Sequence, residues 1–486
     1  MNPPNVLLIC ADQMPGRLLG AMGNSSVLTP TLDQLARNGT LYTNAYSAAP
    51  VCTAARRGLM TGLTPRSHGD RSYREDLPMP PVTTLAQAFR DAGYQAYAVG
   101  KLHVFPQRAR IGFDDVWLNE EGRHFQIEAD DYEMFLAERG SLGREFTHGI
   151  SNNTYETRAW HLPEELHHTN WTVREMCRTI KRRDATRPAF WFMSFQSPHP
   201  PLVPPQAYLD LYRDADIPQP FVGEWARDER LPYALRVRRD RWAPLKQREM
   251  QLARRAFYAE CTHIDHQIRL VIGLLREEGI LDNTIIVFLS DHGDMLGNHN
   301  LFAKQLFYED SCKVPLIIVP TADYARLGHH RIDDRLVELC DVMPTLLDLA
   351  NIAVPPTVEG ISLVSTRRRE FLYGEMDEGA LAKRMVRDAR YKLIYYAAGN
   401  HLQLFDLQDD PDELCDLAND SAHARVCDEL MQVLIAHLYG EDVQWVKDGK
   451  LMGLPAKEYA PAPERGLNNQ RGWRFAGSLT RATTRH

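Results

Sequence analysis

The 486-residue chain is predicted to form an α/β fold, a large, mostly parallel central sheet flanked by helices, with a smaller α+β subdomain towards its C-terminus. Three features predict this. Short apolar runs alternate with helix-patterned stretches through most of the chain, as strands joined by helical crossovers do. Four of those runs end abruptly in Asp, His or Lys. Beyond about residue 365 the order changes to strands followed by a helix.

Residues 5–10 read as a buried strand. Thr29 and Pro30 open a helix, with Thr29 as N-cap and Pro30 in the first turn, and Gly39 closes it. A second helix runs over 84–92 and stops at Gly93, followed by a strand over 94–99. The stretches 189–195 and 284–290 are strands rich in aromatic and β-branched residues, and a long helix over 247–278 precedes the second. Residues 314–319 form another core strand. The composition shifts around Thr366-Arg367-Arg368-Arg369-Glu370. Beyond it, 383–396 and 402–407 read as antiparallel strands and 421–438 as a helix. The division is therefore an α/β domain over 1–365, an α+β subdomain over 366–440 and an extension over 441–486. The extension is rich in Pro, Gly and Arg, and reads equally as a linker or as an arm onto a neighbouring subunit of a homo-oligomer.

Hydrophobic residues at 44% and charged residues at 25% are ordinary for a soluble globular protein. The 56 basic and 64 acidic residues give a net charge of −8, which argues against nucleic acid or an anionic membrane as partner. The start has no basic n-region, and no stretch is long and apolar enough to span a bilayer. The eight cysteines are scattered without a CxxC pair, so neither a disulfide framework nor a zinc ribbon is expected, and a reducing cytoplasm is the expected location.

Chemistry is signalled at the strand ends. The first strand runs into Asp12-Gln13, the strand at 94–99 into Lys101-Leu102-His103, the next into Pro198-His199-Pro200, and the strand at 284–290 into Asp291-His292-Gly293-Asp294. In open α/β sheets ligands sit beyond the carboxyl ends of the strands, so four such endings describe a site better than four accidents. Asp12, Asp291 and His292 make a plausible divalent-metal set, to which Gln13 adds an amide oxygen. Lys101 and His103 are two apart on extended chain and are expected to project the same way, a cation beside an imidazole. His263 and His266 on the long helix read as packing or solvated residues, and His167, His168, His329 and His330 as surface residues.

Cys52 precedes a helix-forming run, where free N–H groups and the helix dipole favour an anion. It reads as a reactive thiolate beside Arg56 or as a buried structural cysteine. The segment Cys52-Thr53-Ala54-Ala55-Arg56, followed by Arg57-Gly58-Leu59-Met60-Thr61-Gly62, resembles the signature of the type I sulfatases of the alkaline phosphatase superfamily, in which the cysteine becomes formylglycine. Ala54 stands where many members carry proline. Residues 5–13, 99–103, 194–201, 290–297, Lys304 and 404–414 also resemble family blocks, in the family's order and across nearly the whole chain.

The resemblance implies an alkaline-phosphatase-like fold and hydrolysis of a sulfate monoester to alcohol and inorganic sulfate. Asp12, Gln13, Asp291, His292 and the modified Cys52 would hold one divalent metal. The family's habit implies calcium, and the amide and imidazole ligands make manganese the alternative. Arg56 would stabilise the hydrated aldehyde, Lys101, His199 and Lys304 would bind the sulfate oxygens, and His103 would act as base. Asp291 would help activate the attacking hydroxyl, and His199 or Lys304 would assist the leaving group. The implied partners are a sulfated small molecule or carbohydrate and a formylglycine-generating maturation enzyme. A phosphonate monoester or phosphodiester hydrolase of the same superfamily is the alternative, and a non-catalytic sulfate-binding protein the reading from another class. Segments 66–76 and 104–170, with the C-terminal subdomain, are expected to wall the site.

Overall fold

A computed structural model describes residues 3–122, 129–227, 231–242, 245–322 and 327–460. Its main sheet contains β1 (Asn5–Asp12), β2 (Thr40–Tyr46), β3 (Gln95–Gly100), β4 (Asp115–Leu118), β5 (Ala189–Pro198), β6 (Thr284–Ser290), β7 (Lys313–Val314), β8 (Leu316–Val319) and β9 (Arg331–Glu338). The strands lie in the order β4-β3-β5-β1-β6-β8-β2-β7, with β9 also paired to β2. From β4 to β6 every neighbour is parallel. β8 runs antiparallel to both β6 and β2.

The apolar run of β1 is continuous because the sheet is covered on both faces. Leu7 and Ile9 enter one core with Ile264 and Ile268 of the helix Gln247–Glu277. Val6, Leu8 and Cys10 enter the other, with Leu59, Phe89 and Leu346. Each fully buried aliphatic side chain of this kind contributes about 1.5–3 kcal/mol.

Several local expectations are met. The second helix spans Leu85–Asp91, and Thr84 caps it by accepting from Gln87 N–H at 3.2 Å. Two others need correction. Thr29 does not cap the helix Pro30–Asn38, because its hydroxyl accepts from Gly20 N–H at 2.9 Å and donates to Asp33 at 3.1 Å. The strand expected at 314–319 is two short strands either side of Pro315, which has no N–H to give a ladder.

The smaller sheet is wholly antiparallel, with β10 (Leu372–Met376), β11 (Lys383–Arg387), β12 (Tyr391–Tyr396) and β13 (His401–Asp406) in sequence order. β10 gives no clear sequence signal because Gly374 and Glu375 interrupt its apolar residues. A Cβ at Gly374 would lie 2.6 Å from the Phe307 ring, so close packing on the larger unit demands glycine. One face of this sheet buries Leu434 of the helix Ala424–His437. The other shares a core with Tyr46, Val51 and Ala54, next to Cys52. Residues 440–454 pack rather than extend. Asp442 accepts from Arg71 at 2.7 Å and from Arg384 at 2.8 Å, tying the chain beyond the smaller sheet to the segment 66–76. The remainder of the proposed arm, from 461, lies outside the described residues.

Candidate active site

The register of the parallel block gathers the polar strand ends. Cys10 pairs with Ser194, Asp12 with Pro198 and Ala11 with Ser290, while Gly100 pairs with Ser194. Asp12, Lys101, His199 and Asp291 therefore leave neighbouring strands at one edge. Gly100 (φ +102°) makes the turn, and a Cβ there would lie 1.8 Å from Ser194 O, so only glycine fits. Gln13 takes φ +71°, costly for a side-chain-bearing residue, and its N–H is held by Asp291 Oδ1 at 3.0 Å.

Cys52 is the first residue of the helix Cys52–Thr61 and is fully buried. Its Sγ lies 3.0 Å from Lys304 Nζ, 3.1 Å from His292 Nε2, 3.7 Å from Asp12 Oδ1 and 4.0 Å from Lys101 Nζ. Arg56, one turn on, donates from Nε to Asp291 Oδ2 at 2.8 Å and from Nη1 to Lys101 O at 2.7 Å and Ser194 Oγ at 2.8 Å. Burial and Asp12 push the Cys52 thiol up, but Lys101, Lys304 and His292 outweigh them and hold it below its ordinary value. Burial likewise opposes charge on Asp12, yet Lys101, His199, Lys304 and Arg56 keep its carboxyl well below the usual range.

Asp12, Cys52, Asp291 and His292 place ligand atoms within 4.8 Å of one another. Their orientation suits a cation. His292 Nδ1–H donates to Gly293 O at 3.0 Å, which leaves the Nε2 lone pair towards Cys52, Asp12 and Asp291. The Gln13 amide nitrogen donates to Asp294, so its oxygen turns inward and accepts from Lys304 at 2.8 Å. The residues present fit a divalent metal.

Lys101 is fully buried and ion-paired to both Asp12 and Glu121. His103 is not on extended chain with it. The chain has left β3, His103 has φ +57°, and its ring lies edge-on to Tyr73 at 6.0 Å. His199 is buried, with Nδ1–H donating to Pro200 O at 2.7 Å and lying 3.8 Å from Glu121. Burial and Lys304 push its imidazole down to about 3.

Sequence reasoning missed Glu121, which is fully buried against Lys101. The signal was a fifth strand end, since Asn119-Glu120-Glu121 follows β4, but a four-residue strand is too short to read. It also misplaced two histidines. His167 and His168 are buried, as is His263, whereas His329 and His330 are exposed as expected.

A family model described as Sulfatase matches residues 4–352. The chain belongs to the sulfatase family. This sulfatase is 37% identical to an arylsulfatase of Clostridium perfringens, over 93% of this chain and 98% of the relative. It is 30% identical to a choline-sulfatase of Rhizobium meliloti, over 85% of this chain and 82% of that one. A second model, N-sulphoglucosamine sulphohydrolase, C-terminal, matches residues 297–438. Among solved structures, a phosphonate monoester hydrolase of Agrobacterium radiobacter superposes with a TM-score of 0.75 at 24% identity, covering 91% of this chain and 98% of that one, so the two share a fold. Among the described residues, no helix is long and apolar enough to cross a membrane.

Proposed function

We propose that this sulfatase cleaves a sulfate monoester of a small molecule or carbohydrate through residue 52, after its cysteine has been oxidised to formylglycine. The observation that carries the reading is the contact of Cys52 Sγ with both halves of the site, the candidate metal ligands Asp12 and His292 and the cations Lys101 and Lys304. Residues 52–56 are buried in a helix, so a formylglycine-generating enzyme would meet them before that helix packs. The seven cysteines other than residue 52 are unbridged, in keeping with a reducing, cytoplasmic setting.

Asp12, Gln13, Asp291, His292 and residue 52 would hold one divalent metal, whose Lewis acidity makes a hydroxyl of the hydrated aldehyde a better nucleophile. Calcium is the family's ion, and the imidazole of His292 also suits manganese. Lys101, Lys304 and His199 bind the sulfate oxygens, and Arg56 holds Asp291 in place. One hydroxyl of hydrated residue 52 attacks sulfur, Asp291 assists in taking its proton, and the S–O bond to the alcohol breaks. Lys304 or His199 delivers a proton to that oxygen. His199 Nδ1–H is committed to Pro200 O, so Nε2 is the nitrogen that takes up and passes on a proton, its basicity raised by the bound anion. His103 then removes the proton of the second hydroxyl, the C=O bond re-forms, and sulfate leaves from carbon.

Sulfate monoesters are expected to show kcat/KM at least about 100-fold above phosphate diesters and phosphonate monoesters. A kinetic preference of fully matured protein for the phosphorus substrates would establish the superfamily's alternative chemistry instead. Exhaustive chelation should remove activity, and added calcium or manganese should restore it. Elemental analysis that finds no bound metal, with activity untouched by the chelator, would refute the metal assignment.

A further inference from the structure

Glu260 lies on the helix Gln247–Glu277, is 1% exposed and touches none of the groups named in the reaction above. Its two oxygens are divided between Ser197, near the end of β5, and Val203, beyond the turn that follows. Ser197 Oγ donates to Oε2 at 2.6 Å, and Val203 N–H donates to Oε1 at 3.2 Å. His199 sits between these anchors. Pro198, Pro200 and Pro201 have no N–H, so the loop has few main-chain donors with which to fix itself. Its other side is held through carbonyls, Leu202 O accepting from Arg158 N–H at 3.2 Å and Pro204 O from Trp160 N–H at 3.0 Å.

Two imidazoles border the carboxylate, His167 from the start of the helix His168–Lys181 and His263 one turn further along the helix of Glu260. Burial holds both well below the ordinary histidine range, so they bring no charge. The three side chains place ligand atoms within 4.8 Å of one another, but the hydrogen bond of His167 does not suit a cation. His167 Nδ1 accepts from Thr169 N–H at 3.1 Å, which leaves the ring proton on Nε2, the nitrogen a metal would need. What Glu260 does make are the two hydrogen bonds to Ser197 and Val203.

We propose that Glu260 is a positioning residue that clamps residues 197 and 203 and so holds His199 at the leaving-group oxygen. The inference rests on the assignment of His199 to that oxygen. A defect in proton delivery grows as the leaving alcohol becomes less acidic, whereas a general loss of folded protein or of nucleophile affects all esters alike.

The test is a set of aryl sulfates graded by the acidity of the phenol, turned over by the mature, metal-loaded enzyme. Glu260→Ala is expected to lower kcat by about 100-fold for phenyl sulfate and by less than about 5-fold for 4-nitrophenyl sulfate, the span of one acid-catalytic contribution. Glu260→Gln keeps an oxygen for Val203 N–H and a partner for Ser197, so it should restore most of the loss. Ser197→Ala removes one anchor and should show the same gradation at smaller size, and it serves if Glu260→Ala does not fold. His199→Ala should show the steepest gradation. An even loss across the series, or no loss, in Glu260→Ala and Ser197→Ala beside a graded loss in His199→Ala would overturn the clamp. An ungraded His199→Ala would overturn the assignment of His199, and the clamp with it.

Discussion

Replacing Cys52 with alanine is expected to lower turnover by at least about 10^5-fold, the scale on which loss of a covalent nucleophile acts, with little change in melting temperature. Sγ meets two candidate metal ligands, Asp12 and His292, and two lysines, Lys101 and Lys304. No other described nucleophile takes that position. Alanine is a good helix former and fits at the first turn, so the fold should survive. The companion measurement is the mass of the peptide carrying residue 52 from active wild-type enzyme, which should show the aldehyde or its hydrate. Active protein carrying only the thiol, or a Cys52→Ala variant that still turns over, would end the proposed chemistry.

Arg56→Ala should damage both stability and rate. The guanidinium is 2% exposed and bridges Asp291, Lys101 O and Ser194 Oγ, with Asp12 3.6 Å from Nη2. Removing it leaves two buried carboxylates short of their cation, a loss of about 3–5 kcal/mol in other broken buried pairs. Asp291 would also lose the donor to its Oδ2. Arg56→Lys should not rescue, because one ammonium cannot reach three partners on different strands in a fixed fork. Urea unfolding and single-substrate kinetics on both variants measure this. A loss under about 1 kcal/mol with activity retained would show that Arg56 is neither support nor catalyst.

The fold class and most of the site were legible from local pattern. Asp12, Asp291 and Lys101 announce themselves because each ends a strongly apolar strand, and a polar residue there is pushed to the sheet edge whatever surrounds it. The glycine that ends β3 and the helix after Val51 are equally local signals. Glu121 was not legible, since β4 is short and its meaning comes from Lys101 on a different strand. The buried histidines misled for the same reason. His167 is packed against Trp160 and His263, from other segments, at ring separations of 4.9 and 4.8 Å, and nothing beside it in sequence foretells burial.

What this sequence determines by itself is the set of chemical groups and the elements that carry them, because apolar periodicity, glycine turns and helix starts are dictated within a few residues of chain. Only the tertiary structure decides which groups meet. Parallel register across β3, β5, β1 and β6 brings Lys101, His199, Asp12 and Asp291 to one edge, and a helix 240 residues away in sequence from His292 delivers Cys52 to it. It also decides how each group is turned. His103 leaves the extended line of β3 at a left-handed backbone angle, and Gln13 and His292 are oriented by Asp294 and Gly293 O. Such orientation is a property of buried polar atoms seeking partners in three dimensions, and a linear pattern carries no record of it.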